Sequence, residues 1–149
     1  MHIETQFSVF MVNKPGILGQ LLESIANDKI NILALTMMDS VEHGVLRVVA
    51  KSKEKMVKVL DKLNVQYSTT DVLCVTLPNK AGAFADVAGK LAKAHINISY
   101  AYCTAGARGG KTTSILKVAD VKKAIKVLEA GAPHKKVNKK TTVKRPLKK

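Results

Sequence analysis

The chain has 149 residues, which suits one domain or two small ones, and 46% of them are hydrophobic, enough for a buried core. No apolar run approaches the ~18 residues of a transmembrane helix. The N-terminal stretch carries Glu4 early and has no basic region, so a signal peptide is not expected. The formal net charge is +14, and over half of it lies in the last fifteen residues, which hold eight Lys or Arg and no acid.

The basic C-terminal segment, residues 135–149, is predicted to be a flexible tail. Its charges are alike and it has few large apolar groups, so it cannot bury enough surface to offset the entropy of ordering. Two roles stay open for it: a solubilising end, or a contact with nucleic acid or another polyanion. Salt identifies the second role, because phosphate contacts weaken steeply as the salt concentration rises.

A chain truncated near residue 137 should keep its melting temperature within a few degrees, because the tail has no apolar periodicity with which to dock. Differential scanning fluorimetry of the full-length and truncated chains measures this. A large drop would show instead that residues 138–149 pack on the folded part.

The first half of the chain alternates between strand and helix patterns. Apolar and polar side chains alternate at its start, which is strand periodicity, and Pro15 then suits the first turn of a helix. In chain order the predicted elements are a strand over 3–11, a helix with apolar residues at 18, 21, 22 and 25, strands over 31–38 and 45–50, a helix after Ser52, and a strand over 65–68. The order is βαββαβ, an α+β unit with an antiparallel sheet and helices on one face.

The second half repeats the first. Residues 13–16 (NKPG) recur as 79–82 (NKAG), and residues 30–32 (INI) recur as 96–98, both at an offset of 66. Farther on the offset becomes 68, so copy two has gained two residues in its hairpin. The second copy is predicted to have strands over 72–77, 96–103 and 112–118, a helix between the first two, a helix after Asp120, and a fourth strand at 134–137. The predicted organisation is therefore two tandem units, 1–69 and 70–134, followed by the tail.

A glycine cluster over residues 106–113 (GARGGKTT) resembles a phosphate-binding loop but lies in the wrong context. The full pattern needs a Gly at position 105, which is Ala105, and a helix after Lys111. Residues 112–118 are predicted to form a strand instead, so the cluster is a hairpin tip. Arg108 and Lys111 remain candidates for contact with a ligand or partner.

The sequence offers little for catalysis. Its four His residues are scattered without metal-ligand spacing, and no Ser lies in a nucleophile motif. Cys74 and Cys103 form no metal pattern and are predicted to be packed strand residues in a reducing, cytoplasmic setting. We expect no enzyme activity, no metal and no cofactor.

The N-x-P-G turn, the I-N-I segment and the repeated βαββαβ order resemble the ACT family of small-molecule-binding regulatory domains. The resemblance covers residues 1–134 as two tandem ferredoxin-like units and implies an amino-acid ligand, bound where two units meet. Carried over position by position, it implies ligand contacts at Asn13, Gly16 and Asn31 in copy one and at Asn79, Gly82 and Asn97 in copy two. Ala81 departs from the family's proline, and Met11 and Leu77 stand where some members place a polar ligand contact.

Each of these asparagines also has a purely structural interpretation. Asn13 and Asn79 precede helices, where Asn is often a cap, and Asn31 and Asn97 follow helices, where it is often a turn residue. If the two copies pack as ACT pairs do, Asn13 is expected near Asn97, and Asn79 near Asn31. The pocket with the stiffer Pro15 turn is then expected to bind more tightly.

The resemblance and the open sheet edges also predict partners. Edge strands invite pairing, so a homo-oligomer, most simply a dimer, is expected. The chain resembles a regulatory part without a catalytic one, which implies a separate partner enzyme or a free-standing sensor. The alternative function is binding of nucleic acid or another polyanion through the tail. No membrane association is expected.

Overall fold

The computed structural model describes residues 1–39, 43–104, 106 and 109–131. Its ten elements are β1 (His2–Val12), α1 (Ile17–Asn27), β2 (Ile32–Asp39), β3 (His43–Ala50), α2 (Lys53–Lys62), β4 (Gln66–Pro78), α3 (Ala83–Lys93), β5 (Ile98–Cys103), β6 (Lys111–Val118) and α4 (Val121–Ala130). The predicted fourth strand of copy two, Arg108 and the basic tail lie outside the described residues. Within the described part, no helix is long and apolar enough to cross a membrane.

The six strands form one antiparallel sheet in the order β2-β3-β1-β4-β6-β5. Two ferredoxin-like units lie side by side in it, which confirms the predicted fold class. Unit 1 comprises β1 to α2 and the first half of β4, and unit 2 comprises the second half of β4 and everything after it. The sequence predicted two strands over 65–68 and 72–77. The structure has one continuous strand there, because no Gly or Pro interrupts the chain between them, and residues 69 and 70 both lie inside it.

The units share strands β1 and β4 around a local two-fold relation. Thr5 pairs with Asp71, and the repeat offset of 66 maps the first of these residues onto the second. We call these two residues the central pair. Beyond it, Ile3 pairs with Leu73, so the start of β1 lies where a fourth strand of unit 2 would begin. Unit 1 therefore supplies a sheet neighbour to unit 2.

The helices of both units pack on the same face of the sheet. Phe7 pairs with Thr69 and Ile3 with Leu73, so alternate residues of β1 and β4 point to one side. Phe7 belongs to the core under α1 and α2, and Leu73 belongs to the core under α3 and α4. This agrees with the prediction of helices on one face and leaves the other face of the sheet free of helices.

The helix-free face is concave, and its ends meet. Gln6 in β1 and Tyr100 in β5 are three strand spacings apart, about 14 Å in a flat sheet. Their side chains nevertheless hydrogen bond at 2.7 Å. Arg47 in β3 lies even farther along the strand order, yet its guanidinium carbon is 3.8 Å from the centre of the Tyr100 ring. The sheet must curl strongly for these contacts to form, and a third apolar cluster that includes Val49 fills the space inside.

Candidate functional site

The turn after the first strand of each unit ends at a left-handed glycine. Gly16 has φ 89° and Gly82 has φ 83°, a conformation that strains any residue with a Cβ atom. Both glycines occupy the cap position of the helix that follows, and neither helix has a side-chain cap. The alternative interpretation of Asn13 and Asn79 as helix caps therefore does not fit the structure.

The space next to both glycines is open. A Cβ atom added at Gly16 or Gly82 would meet no other atom within 4 Å. Glycine is thus required there by the backbone conformation and not by close packing within the chain. The open space gives a ligand access to the start of α1 or α3, where backbone N–H groups favour an anion.

Asn79 holds the turn of unit 2 against the β5–β6 hairpin. Its Nδ2 atom donates to the carbonyl oxygen of Gly106 at 2.8 Å, and its backbone N–H donates to the carbonyl oxygen of Gly110 at the same distance. This gives Asn79 a structural function in positioning the hairpin. Asn13 in unit 1 is exposed, and the hairpin residues 40–42 beside it lie outside the described part of the chain.

Asn31 and Asn97 are exposed residues directly before the edge strands β2 and β5. The left-handed positions after the preceding helices are taken by Lys29, with φ 54°, and His95, with φ 56°. The interpretation of the two asparagines as left-handed turn residues is therefore not what the structure shows. Their exposure leaves them accessible to a neighbouring molecule.

The strand register separates the asparagines that were expected to meet. Asn31 and Asn97 both lie level with the central pair, because Ile32 and Ile98 begin strands that start at that level. Asn13 lies eight residues beyond the central pair along β1, about 26 Å at 3.3 Å per residue. Asn79 lies as far in the opposite direction, so one chain by itself does not bring Asn13 to Asn97 or Asn79 to Asn31.

A cavity of about 290 Å³ lies at the turn of unit 2, between the start of α3 and the ends of β5 and β6. Its lining mixes apolar and hydrogen-bonding side chains: Leu77, Pro78, Asn79, Lys80, Ala83, Phe84, Cys103, Thr104, Thr112 and Ser114. Two of the predicted ligand residues, Asn79 and Gly82, thus lie at or beside a cavity. The hydroxyl residues of its lining are functional candidates that the sequence did not single out.

A larger cavity of about 500 Å³ lies on the other side of unit 1, where α1 and the start of β4 approach the end of β1. Its lining is mostly apolar and includes Phe10, Ile17 and Leu63. None of the six predicted ligand residues lines it. We therefore do not assign the expected ligand to this cavity.

The two tyrosines of β5 connect the units across the concave face. The Tyr102 hydroxyl donates to Oε1 of Gln6 at 2.9 Å, and Nε2 of Gln6 donates to the Tyr100 hydroxyl. Gln6 is fully buried, and burial raises the pKa of Tyr102 well above its ordinary value, with Tyr100 adding to the rise. The packing of both tyrosines at a domain interface was predicted, but nothing in the sequence indicated Gln6 or Arg47 as their partners.

The remaining candidates show no catalytic arrangement. Lys111 begins a strand and not a helix, which agrees with the rejection of a phosphate-binding loop. Cys74 is buried, which raises its pKa to about 11, whereas Cys103 is exposed and so departs from the predicted packing. Within the described residues no three His, Cys, Asp or Glu side chains cluster closely enough to hold a metal ion.

Comparison with known proteins identifies the family. The family model of an ACT domain pair matches residues 1–134. The chain belongs to the ACT family, as a domain pair. The family comprises regulatory, non-catalytic modules, so the ACT pair is a regulatory ligand-binding module and not the member of a catalytic family. The predicted family and its extent along the chain are both confirmed.

Solved structures resemble the ACT pair over most of its length. A Bacteroides thetaiotaomicron protein is 30% identical, with a TM-score of 0.79 over 86% of this chain and 88% of that one. The regulatory subunits of aspartate kinase from Thermus thermophilus and Thermus flavus are 11% and 13% identical, with TM-scores of 0.64 and 0.61. They align with 87% of this chain and with 97% and 93% of their own. These two show a shared fold. No protein with a curated description matches.

Proposed function

We propose that the ACT pair binds an amino acid and thereby modulates the activity of a partner enzyme. The observation that supports this most is the pair of uncapped helix starts at Gly16 and Gly82, each beside open space. Such a start binds a carboxylate through its backbone N–H groups. Two similar folds belong to regulatory subunits of aspartate kinase, an enzyme whose name indicates an amino-acid substrate.

A second copy of the chain is the proposed source of the missing asparagine. Edge strand β2 exposes Leu35, Met37 and Met38 and carries no charge before its last residue, although natural edge strands are usually protected by charges. Antiparallel pairing of β2 with β2 of a second copy would cover these side chains. Because β2 ends beside the end of β1, the pairing would place Asn31 of the second copy next to Asn13. Pairing along β5 would do the same for Asn97 and Asn79.

At least one of the twenty protein amino acids should raise the melting temperature of the full chain. Binding to the folded state alone stabilises by about 2.7 kcal/mol when the free ligand is at one hundred times its dissociation constant. Differential scanning fluorimetry against each amino acid measures this, and light scattering on the same samples measures the expected dimer. If none of the twenty shifts the transition, amino-acid binding is excluded. A strictly monomeric species at high protein concentration would exclude the second copy.

A further inference from the structure

The two units differ at the position of the unit 2 cavity. The repeat and the strand register agree on which residues correspond, with an offset of 66 before the hairpin and 68 after it. The correspondences are Leu77 with Met11, Lys80 with Lys14, Cys103 with Met37, Thr104 with Met38, Thr112 with Gly44 and Ser114 with Leu46. Four hydrogen-bonding side chains of unit 2 thus correspond to two methionines, a glycine and a leucine in unit 1.

In unit 1 these apolar side chains fill the corresponding space. The terminal methyl group of Met37 lies over Gly44, only 2.7 Å from the point where a Cβ atom of that residue would be. Leu46 is fully buried beneath it. The large cavity of unit 1 lies on the other side of α1 and is lined by neither Met37 nor Leu46. The shorter Cys103 side chain leaves the space in unit 2 open.

The hairpin wall of the unit 2 cavity favours a ligand that donates hydrogen bonds. Thr112 donates its hydroxyl proton to the backbone carbonyl of Thr104, and the Thr104 hydroxyl accepts from the backbone N–H of Thr113 at 3.2 Å. Ser114 Oγ lies 3.1 Å from Cys103 Sγ. A hydroxyl has one proton and two lone pairs. With the Thr112 proton bound within the chain, that hydroxyl offers lone pairs to the cavity, which suit an ammonium group.

The opposite wall has the complementary character. Lys80 lies in the turn, and α3 begins beside it without a side-chain cap, so this wall favours a carboxylate. Phe84 and Leu77 add apolar surface between the two polar walls. The cavity volume is near the lower limit of about 300 Å³ for small-molecule pockets, which suits a small metabolite.

From this geometry we infer that unit 2 alone carries the ligand pocket, and that it takes an α-amino acid as a zwitterion. The carboxylate lies toward Lys80 and the start of α3, and the ammonium group lies toward Thr104, Thr112 and Ser114. The inference rests on the proposed function and narrows it to one ligand for each chain. It also reverses the expectation that the Pro15 turn forms the tighter pocket, because the filling of unit 1 outweighs the stiffness of its turn.

The test transfers the side chains of one unit to the other in the full chain. The double variant Cys103→Met, Thr104→Met carries the residues of unit 1, and should weaken binding of the amino acid found in the thermal screen by more than about tenfold. The matched control Met37→Cys, Met38→Thr should leave affinity unchanged. Lys80→Gln, on an exposed side chain, tests the same pocket without altering the core, and Lys14→Gln is its control. Isothermal titration calorimetry measures affinity and stoichiometry.

The outcomes separate the inference from the proposed function. One ligand per chain, lost in both unit 2 variants and retained in both controls, supports the inference. Two ligands per chain, or equal losses in Lys14→Gln and Lys80→Gln, would overturn it while amino-acid binding stands. If the double variant does not fold, unchanged affinity in Lys80→Gln overturns the inference and loss of affinity supports it. If no amino acid binds the unaltered chain, the proposed function and this inference both fall.

Discussion

Replacing Phe7 by alanine should lower the free energy of unfolding of the whole chain by about 3–5 kcal/mol. Phe7 is fully buried in the core of unit 1, where its ring lies 5.9 Å from the ring of Tyr67. The loss should shift one single transition and not split it into two. Strands β1 and β4 belong to the sheet of both units, so unit 2 loses a neighbour when unit 1 unfolds. Urea unfolding followed by circular dichroism measures both the free energy and the number of transitions.

The matched variant lies in unit 2. Leu91 is fully buried under α3, and Leu91→Ala should cost about 2–5 kcal/mol in the same single transition. Two separated transitions, with Phe7→Ala moving only one of them and Leu91→Ala only the other, would show that the units fold independently. The shared strands would then contribute little to the coupling.

Replacing Gln6 by leucine should lower the free energy of unfolding by about 1–3 kcal/mol for each buried hydroxyl that it leaves without a partner. Gln6 is fully buried and binds the hydroxyl groups of both Tyr100 and Tyr102. Leucine has similar bulk and no hydrogen-bonding group, so the loss reports chiefly on the missing hydrogen bonds. Urea unfolding again measures it.

A double-mutant cycle tests whether these hydrogen bonds join the units. Tyr102→Phe alone should cost about 1–3 kcal/mol, because it leaves Oε1 of Gln6 without that donor. The combined variant Gln6→Leu, Tyr102→Phe should cost less than the sum of the single variants. Tyr67→Phe is the control, since its hydroxyl binds Asp61 at the exposed surface and its loss should have a small effect. Strict additivity at Gln6 and Tyr102 would contradict the network.

The sequence by itself determined the elements and the duplication. Apolar periodicity reports local burial, and it identified β1, α1 and their counterparts in copy two before any coordinates. The recurrence of Asn-Lys-x-Gly located both turns, because a left-handed glycine is a local requirement of the backbone. The same recurrence identified the family and the six candidate ligand residues, whose part in binding stays a prediction.

Only the tertiary structure decided how the two copies meet. Alternation along β1 and β4 is compatible with separate sheets or a shared one, and the register that pairs Thr5 with Asp71 depends on residues far apart in the chain. The curl that brings Gln6 to Tyr100 is a property of the whole sheet. Likewise, Met37 and Cys103 occupy equivalent strand positions in the sequence. Whether a cavity remains beside each depends on the volume of the side chains that the fold packs around it, which no local pattern records.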